Sequence, residues 1–275
     1  MKLILFGSNG MLGNYVASYL SKSYTIIALT RKDYDLSKLS IDTLSQFLMS
    51  KNIEKGDIVI NCAGVIPQAS SQRCLNTRLY FTINSLFPVI LSQLCDKYGA
   101  KMIHVTTDCV FSGKEGNYNE KSDRDETNDY GMSKSLGELC NATIIRTSII
   151  GEEVINKRSL LEWVRSNSGK EINGFTNHYW NGVTCLQLAK IIHKIIDDNL
   201  FWTGIRHIFS PYSVSKFELV SMINNIYNLG IITKTFETPD SINKTLTTIY
   251  DTNSMFNIPE LEQQIKTLKQ YRLIH

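Results

Sequence analysis

A chain of 275 residues, 43% hydrophobic and 20% charged with a formal net charge of +3, has the makeup of an ordinary globular protein of one domain or two closely joined ones. So small a charge, carried by scattered basic residues, excludes nucleic acid and anionic membrane as expected partners, and no apolar run reaches the length of a membrane span. Six cysteines (Cys62, Cys74, Cys95, Cys109, Cys140 and Cys185) stand far apart with no Cys-x-x-Cys pair and no histidine cluster, which reads as free thiols in a reducing, cytoplasmic setting without a metal site.

Lys2 to Phe6 is a short apolar run that glycine and polar residues cut off too soon for a secretory leader, so it reads as a buried strand. Gly7-Ser8-Asn9-Gly10-Met11-Leu12-Gly13 follows, then the periodic Val16 and Leu20. Glycines also serve plain turns, but between a first strand and a helix they let backbone approach a pyrophosphate at the helix N-terminus. Tyr24 to Leu29 predicts the second strand, ending at Thr30-Arg31-Lys32. A hydroxyl and two cations, placed where a carboxylate would bind an adenosine ribose, suit a 2′-phosphate and favour NADPH over NADH, with NADH left open; solvated cations are the alternative. Asp35-Leu36-Ser37 is placed to contact the adenine.

Ser40 to Leu48 predicts a capped helix, and Asp57 to Asn61 a third strand entering the small residues Cys62-Ala63-Gly64 beside the cofactor. A long helix is expected from Arg78 to Tyr98, closed by Gly99, with Asn84 either a satisfied core amide or part of the active site. Met102 to Val105 predicts a fourth strand whose carboxyl end carries Thr106-Thr107-Asp108, the edge where open α/β sheets bind ligands. Ser112 to Asp129 is a polar loop long enough to be functional. Next, Tyr130-Gly131-Met132-Ser133-Lys134 opens a helix expected to run through Leu136, Leu139 and Cys140. The four-residue spacing puts a phenol and an ammonium on one helix face, where the cation is expected to lower the phenol pKa and support proton transfer; an isolated pair of this kind is usually only surface.

With a fifth strand at Thr143 to Ile145, strands and helices alternate through residue 150, which predicts an α/β, Rossmann-like, doubly wound parallel sheet. Beyond it lie helices near Ser159 to Val164 and Leu186 to Ile196, a strand from Gly204 to Phe209, a capping box at Ser215-Lys216-Phe217-Glu218 and a helical tail from Glu260. Phe175 to Gly182 is aromatic and polar, and Tyr179 and Trp180 serve there either as core or as a nucleobase stack.

Taken together, Gly7-x-x-Gly10-x-x-Gly13, the run Thr106 to Gly113, Tyr118-x-Glu120, Tyr130-Gly131-x-Ser133-Lys134-x-x-Gly137-Glu138 and Arg146-Thr147-Ser148 resemble the extended short-chain dehydrogenase/reductase superfamily, and within it the dTDP-4-dehydrorhamnose reductase family. The likeness is clear to about residue 151 and looser to Leu268. It implies an NADP-binding domain over residues 1–150 plus about 183–210, and a smaller C-terminal α/β substrate domain over about 151–182 and 211–275. It implies NADPH-dependent reduction of a nucleotide-linked 4-keto-6-deoxy sugar, dTDP- or UDP-carried, toward an L-rhamnose-type product for glycan synthesis. Tyr130 would be the proton donor, Lys134 its partner on the nicotinamide ribose and Thr107 the catalytic hydroxyl. Cofactor contacts would come from Gly7, Asn9, Gly10, Met11, Leu12, Gly13, Thr30, Arg31, Asp35, Leu36, Cys62, Ala63, Gly64, Asn84, Tyr130 and Lys134. Substrate contacts would come from Val65, Thr107, Asp108, Cys109, Tyr130, Trp180 and Asn181. Cys109 stands where the family has an aromatic residue and related dehydratases a glutamate, which argues against elimination; Ile149 replaces a tryptophan. Two rivals stay open: a reductase or epimerase/reductase of an N-acetylated sugar, and a non-catalytic NADP-binding subunit resembling the methionine adenosyltransferase beta subunit. A homodimer is left open too.

Overall fold

The computed structural model describes residues 1–67, 77–155 and 157–273, and Cys74 lies outside them. The first half alternates as expected: β1 (Leu3–Phe6), α1 (Met11–Leu20), β2 (Ile26–Leu29), α2 (Ile41–Ser50) and β3 (Ile58–Asn61). A π-helical turn, Tyr80–Leu86, then runs into α3 (Phe87–Tyr98), followed by β4 (Lys101–Thr107), α4 (Asp129–Gly137) and β5 (Thr143–Thr147). The second half contains β6 (Ile149–Ile150), α5 (Leu160–Ser166), β7 (Glu171–Phe175), β8 (His178–Trp180), β9 (Val183–Thr184), α6 (Cys185–Asp197) and β10 (Gly204–His207). The chain closes with β11 (Val214–Ser215), α7 (Lys216–Tyr227), β12 (Ile232–Phe236), β13 (Ile242–Asn243), α8 (Thr252–Phe256) and α9 (Leu261–Gln270).

Six strands form one parallel sheet in the order β10-β5-β4-β3-β1-β2. The order reverses between β1 and β3, and that switch point opens a crevice at the strands' carboxyl ends. Strands covered on both faces read as unbroken apolar runs, which is why Leu3–Phe6 is buried throughout. One face, built on Leu3, Leu5, Ile103 and Val105, packs on α1 and α6; the other, with Ile4, Val59, Met102 and Ile144, packs on α2 and α3. Small sheets complete the second half: β11-β8-β13, the parallel pair β12-β7, and β6-β9. The pairing of β7 with β12 across some sixty residues left no local sequence signal, since cross-strand partners far apart in the chain share no periodicity.

Two helix boundaries depart from expectation. The long helix is not uniform, because Pro88 lacks an N–H and its ring excludes the carbonyl four residues back, at Asn84; the turn before it widens to π geometry. The helix starting near Tyr130 ends at Gly137, so Leu139 falls outside it and is exposed. The Ser215–Glu218 capping box and the left-handed Gly99 cap are as expected. Among the described residues, no helix is long and apolar enough to cross a membrane.

Candidate active site

The glycine turn after β1 needs its glycines. Gly7 has φ +78°, and a Cβ there would lie 2.6 Å from the Ala63 nitrogen; a Cβ on Gly13 would lie 2.0 Å from the Gly7 oxygen. The turn therefore presses α1 against β1 and β3. No side chain caps α1, so its first N–H groups stay available to an anion. The turn opens on a cleft of about 590 Å³ lined by Gly7, Asn9, Gly10, Thr30, Arg31, Asp35 and Leu36 on one side and Cys62, Ala63, Gly64 and Val65 on the other. Sequence reasoning missed Tyr34, Leu79, Ile83 and Ile155, apolar wall residues with no motif to mark them. Leu12 is buried in the core, and Met11 packs against it, so any role for them, and for Gly13, rests on backbone.

At the adenosine end, Arg31 is 79% exposed and its Nε lies 3.3 Å from the Asp35 carboxylate. Thr30 donates through both N and Oγ1 to Asp33 at 2.8 Å, a carboxylate the sequence reading had passed over. These bonds hold Asp33 below the usual carboxylate range. The turn thus presents a solvent-facing guanidinium, a fit for a phosphate on the ribose.

Asn84 sits in the π turn. Its Oδ1 accepts from Val65 N at 2.8 Å, and its Nδ2 donates to Val65 O at 3.0 Å and to Ser133 Oγ at 3.1 Å. One amide thus ties the cleft floor to α4. Of the two roles left open for it, the structure shows the satisfied amide, placed at the site rather than away from it. On α4, Asn128 caps the helix by accepting from Gly131 N, and Lys134 reaches back toward Gly64: a Cβ there would lie 2.8 Å from Lys134 Nζ. Burial pulls the Lys134 pKa down to about 8, opposed by the Glu138 charge. The lowering of the Tyr130 pKa expected from Lys134 is not found. Burial, with charge at Cys109 and Asp108, pushes the phenol well above its ordinary value, against a downward pull from the Thr107 hydroxyl.

Thr107 caps a short 3-10 turn, Asp108–Val110, at the end of β4. Its Oγ1 accepts from Cys109 N at 3.1 Å and donates to Asp108 Oδ1 at 3.0 Å. Asp108 is buried and its pKa raised for that reason, opposed by the Lys216 charge. Burial also pushes the Cys109 thiol up to about 12. Thr107, Asp108, Cys109 and Tyr130 are therefore brought together, with Lys134 close to Cys109. Trp180 lies in the core with the Lys216 ammonium 5.1 Å above its ring, and both atoms of the Asn181 amide bond the Leu246 backbone at 2.8 and 2.9 Å. Lys216 had no sequence signal, because it reaches the site only through the docking of α7.

Fold and site together define a class, a doubly wound dinucleotide-type fold with the Tyr-x-x-x-Lys layout of the short-chain dehydrogenase/reductases. Residues 1–243 match the family described as RmlD substrate binding domain, and the chain belongs to that family. A dTDP-4-dehydrorhamnose reductase of Mycobacterium tuberculosis is 28% identical over 159 residues, covering 54% of this chain and 49% of that protein. The chain thus matches about half the length of this relative. Another, from Aggregatibacter actinomycetemcomitans, is 24% identical over 281 residues, covering 95% of this chain and 92% of that one. The crystal structure of the Bacillus anthracis dTDP-4-dehydrorhamnose reductase in complex with NADP superimposes with a TM-score of 0.81 at 22% identity, covering 98% of this chain and 99% of that one. The resemblance drawn from the motifs is borne out.

Proposed function

We propose that this protein is an NADPH-dependent reductase of a nucleotide-linked 4-keto-6-deoxy sugar of the dTDP- or UDP-4-dehydrorhamnose type, serving glycan synthesis. The observation that carries the reading is the Tyr-x-x-x-Lys spacing on α4, with a phenol kept protonated at Tyr130 near Thr107 and a buried ammonium at Lys134 against Gly64, a residue that lines the cleft of about 590 Å³. The cofactor is supported by the glycine turn, the uncapped α1 and the exposed Arg31, and by the NADP bound to the Bacillus anthracis relative. When bound, the nicotinamide supplies the hydride that reduces the sugar carbonyl. Tyr130 donates its proton to the carbonyl oxygen, and the Thr107 hydroxyl turns from Asp108 to the same oxygen. Lys134, charged below about pH 8, stabilises the phenolate left behind. Val65, Asp108, Cys109, Trp180 and Asn181 are proposed on the substrate side, with Trp180 and Asn181 shaping the wall they are already bonded into.

A thiol with a pKa near 12 is a poor base at neutral pH, which speaks against Cys109 as an epimerisation catalyst. We extend the proposal to an NADP-binding domain of residues 1–150 plus about 183–210, a view favoured by β10 joining the large sheet, with a substrate domain made of the remainder. Free thiols at the five described cysteines support a cytoplasmic site of action. Exposed Leu86, Met132 and Leu136, on two elements packed together, support a homodimer.

The test follows NADPH absorbance with dTDP- and UDP-linked 4-keto-6-deoxyglucose, with and without a 3,5-epimerase. Sugar-dependent oxidation is expected, and Tyr130→Phe is expected to lower kcat by about 100-fold or more with cofactor affinity unchanged. Tight NADPH binding with no turnover of any sugar nucleotide, N-acetylated ones included, would overturn the reading in favour of a non-catalytic subunit.

A further inference from the structure

Tyr130 is the second residue of α4, in the turn whose N–H groups have no partner inside the helix, so its place is set by the cap and by what packs on it. Asn128 supplies the cap, its Oδ1 accepting from Gly131 N at 2.9 Å. Glu126 supplies the packing. Its stem lies flat on the same turn, since a Cβ on Gly131 would lie 2.3 Å from Glu126 Cγ and 2.5 Å from the Cys109 oxygen. Its backbone N donates to Val110 O at 3.2 Å, and its Oε1 accepts from Thr127 N at 2.9 Å and Asn128 N at 3.3 Å. Oε2 is left to Lys244, whose Nζ donates to it at 3.3 Å, with the two side chains 15% and 20% exposed. Among the described residues, this is the ion pair that joins residues 1–150 to residues 211–275; the others stay within one segment or the other, or within 151–275.

Lys244 is itself held from two sides. Residues 242–249 form a strap that starts at β13, paired with His178 and Tyr179 of β8, and is fixed further on by the Asn181 amide at Leu246. Along its other edge the strap bonds the polar loop: Asn243 N donates to Gly113 O at 2.7 Å, Tyr118 N to Thr245 O at 2.9 Å and Thr247 N to Tyr118 O at 2.8 Å. The lysine stem crosses Gly113, where a Cβ would lie 3.0 Å from Lys244 Cγ. We propose that Lys244 is a positioning residue for Tyr130, acting through Glu126: the strap holds the ammonium, the ammonium holds the carboxylate, and the carboxylate holds the first turn of α4 with the phenol on it. The inference rests on Tyr130 being the proton donor of the proposed reaction. It ties the aim of that donor to the half of the chain proposed to hold the sugar nucleotide. A pair shielded to this degree is screened less by salt than a surface pair, and a displacement of about 1 Å at a reacting group costs up to about 100-fold in rate.

The experiment measures kcat and KM for wild type, Lys244→Met, Glu126→Gln, their combination and Lys244→Arg, alongside hydrogen exchange at the Gly131 and Met132 amides of the full-length protein. Lys244→Met and Glu126→Gln are each expected to lower kcat about tenfold while the KM values for NADPH and for the sugar nucleotide stay within about twofold. The combined variant is expected to be no slower than either single one, because both remove the same contact, and Lys244→Arg is expected to restore most of kcat. Both amides are expected to exchange about fivefold faster in Lys244→Met and to return toward wild type in Lys244→Arg. A kcat for Lys244→Met within about twofold of wild type, or losses that multiply in the combined variant, would overturn the proposal. So would a loss confined to the KM for the sugar nucleotide, which would mean that the ammonium touches substrate instead of aiming Tyr130, and so would unchanged exchange at the two amides. If exchange moves as expected while no sugar nucleotide is turned over, the link from Lys244 to α4 stands and the proposed reaction fails.

Discussion

Lys134 is 7% exposed, and keeping an ammonium there works against the fold. Its folded pKa, about 8, lies below the ordinary 10.5 of the unfolded chain. Between those values the unfolded chain holds a proton that the folded one has released, so stability rises with pH across the window. Below pH 8 both states are charged and the burial penalty, about 3 kcal/mol, is present in full. Lys134→Met is therefore expected to raise the melting midpoint at pH 7 by about 5 °C while removing turnover, with the gain vanishing above pH 10.5. Melting curves at the two pH values check this, and a lower midpoint at pH 7 would mean that the ammonium's contacts outweigh its desolvation. Residue identities at this site were legible because proton transfer and phosphate binding each call for particular side chains. Their electrostatic states were not, since the raised Tyr130 pKa and the Asp33 bonds to Thr30 depend on burial and on backbone geometry.

At the scale of elements, α4 is placed by a contact that only glycine allows. A Cβ on Gly137 would lie 2.0 Å from the Asn84 carbonyl oxygen, the group that Pro88 leaves without its usual helical partner. Gly137→Ala must then push α4 off the π turn and carry Tyr130 and Lys134 with it. The expected result is a loss of about 2–4 kcal/mol in urea unfolding together with a fall in kcat larger than any change in NADPH affinity. Equal losses in both kinetic terms would mean that the cleft, not the helix, had moved. Strand and helix order through β5 could be read from periodicity and from glycine and capping signals. The π turn could have been found from Pro88 standing four residues after Asn84. The pairing of β7 with β12 and the docking of α7 through Lys216 could not, because neither is local in the chain.

Across the whole molecule, one buried network joins the large sheet to the chain's second half. Arg146, 1% exposed, forms two bonds to Glu138 and donates to His207 Nε2 at 2.9 Å, while Arg124 approaches Glu138 at 3.4 Å. His207 N donates to Glu120, which also receives Thr248 Oγ1 and Ile249 N. Tyr118 and Glu120, quoted as a motif, turn out to fasten the polar loop: Tyr118 stacks on Phe111 with ring centres 4.2 Å apart. Glu138→Gln leaves Arg146 buried without its counter-charge and is expected to cost about 3–5 kcal/mol in chemical unfolding. A loss below about 1 kcal/mol would mean that Arg146 finds compensation elsewhere. The sheet's outer neighbour to β5 is β10, residues 204–207, so β5 is synthesised long before the strand that covers it. At ordinary rates of translation the edge of β5 waits several seconds with its N–H and C=O groups unpaired, a template for any other extended chain. The nascent chain passes through an interval in which its glycine turn and Tyr-Lys helix have already emerged while the edge of its sheet is still open to pairing.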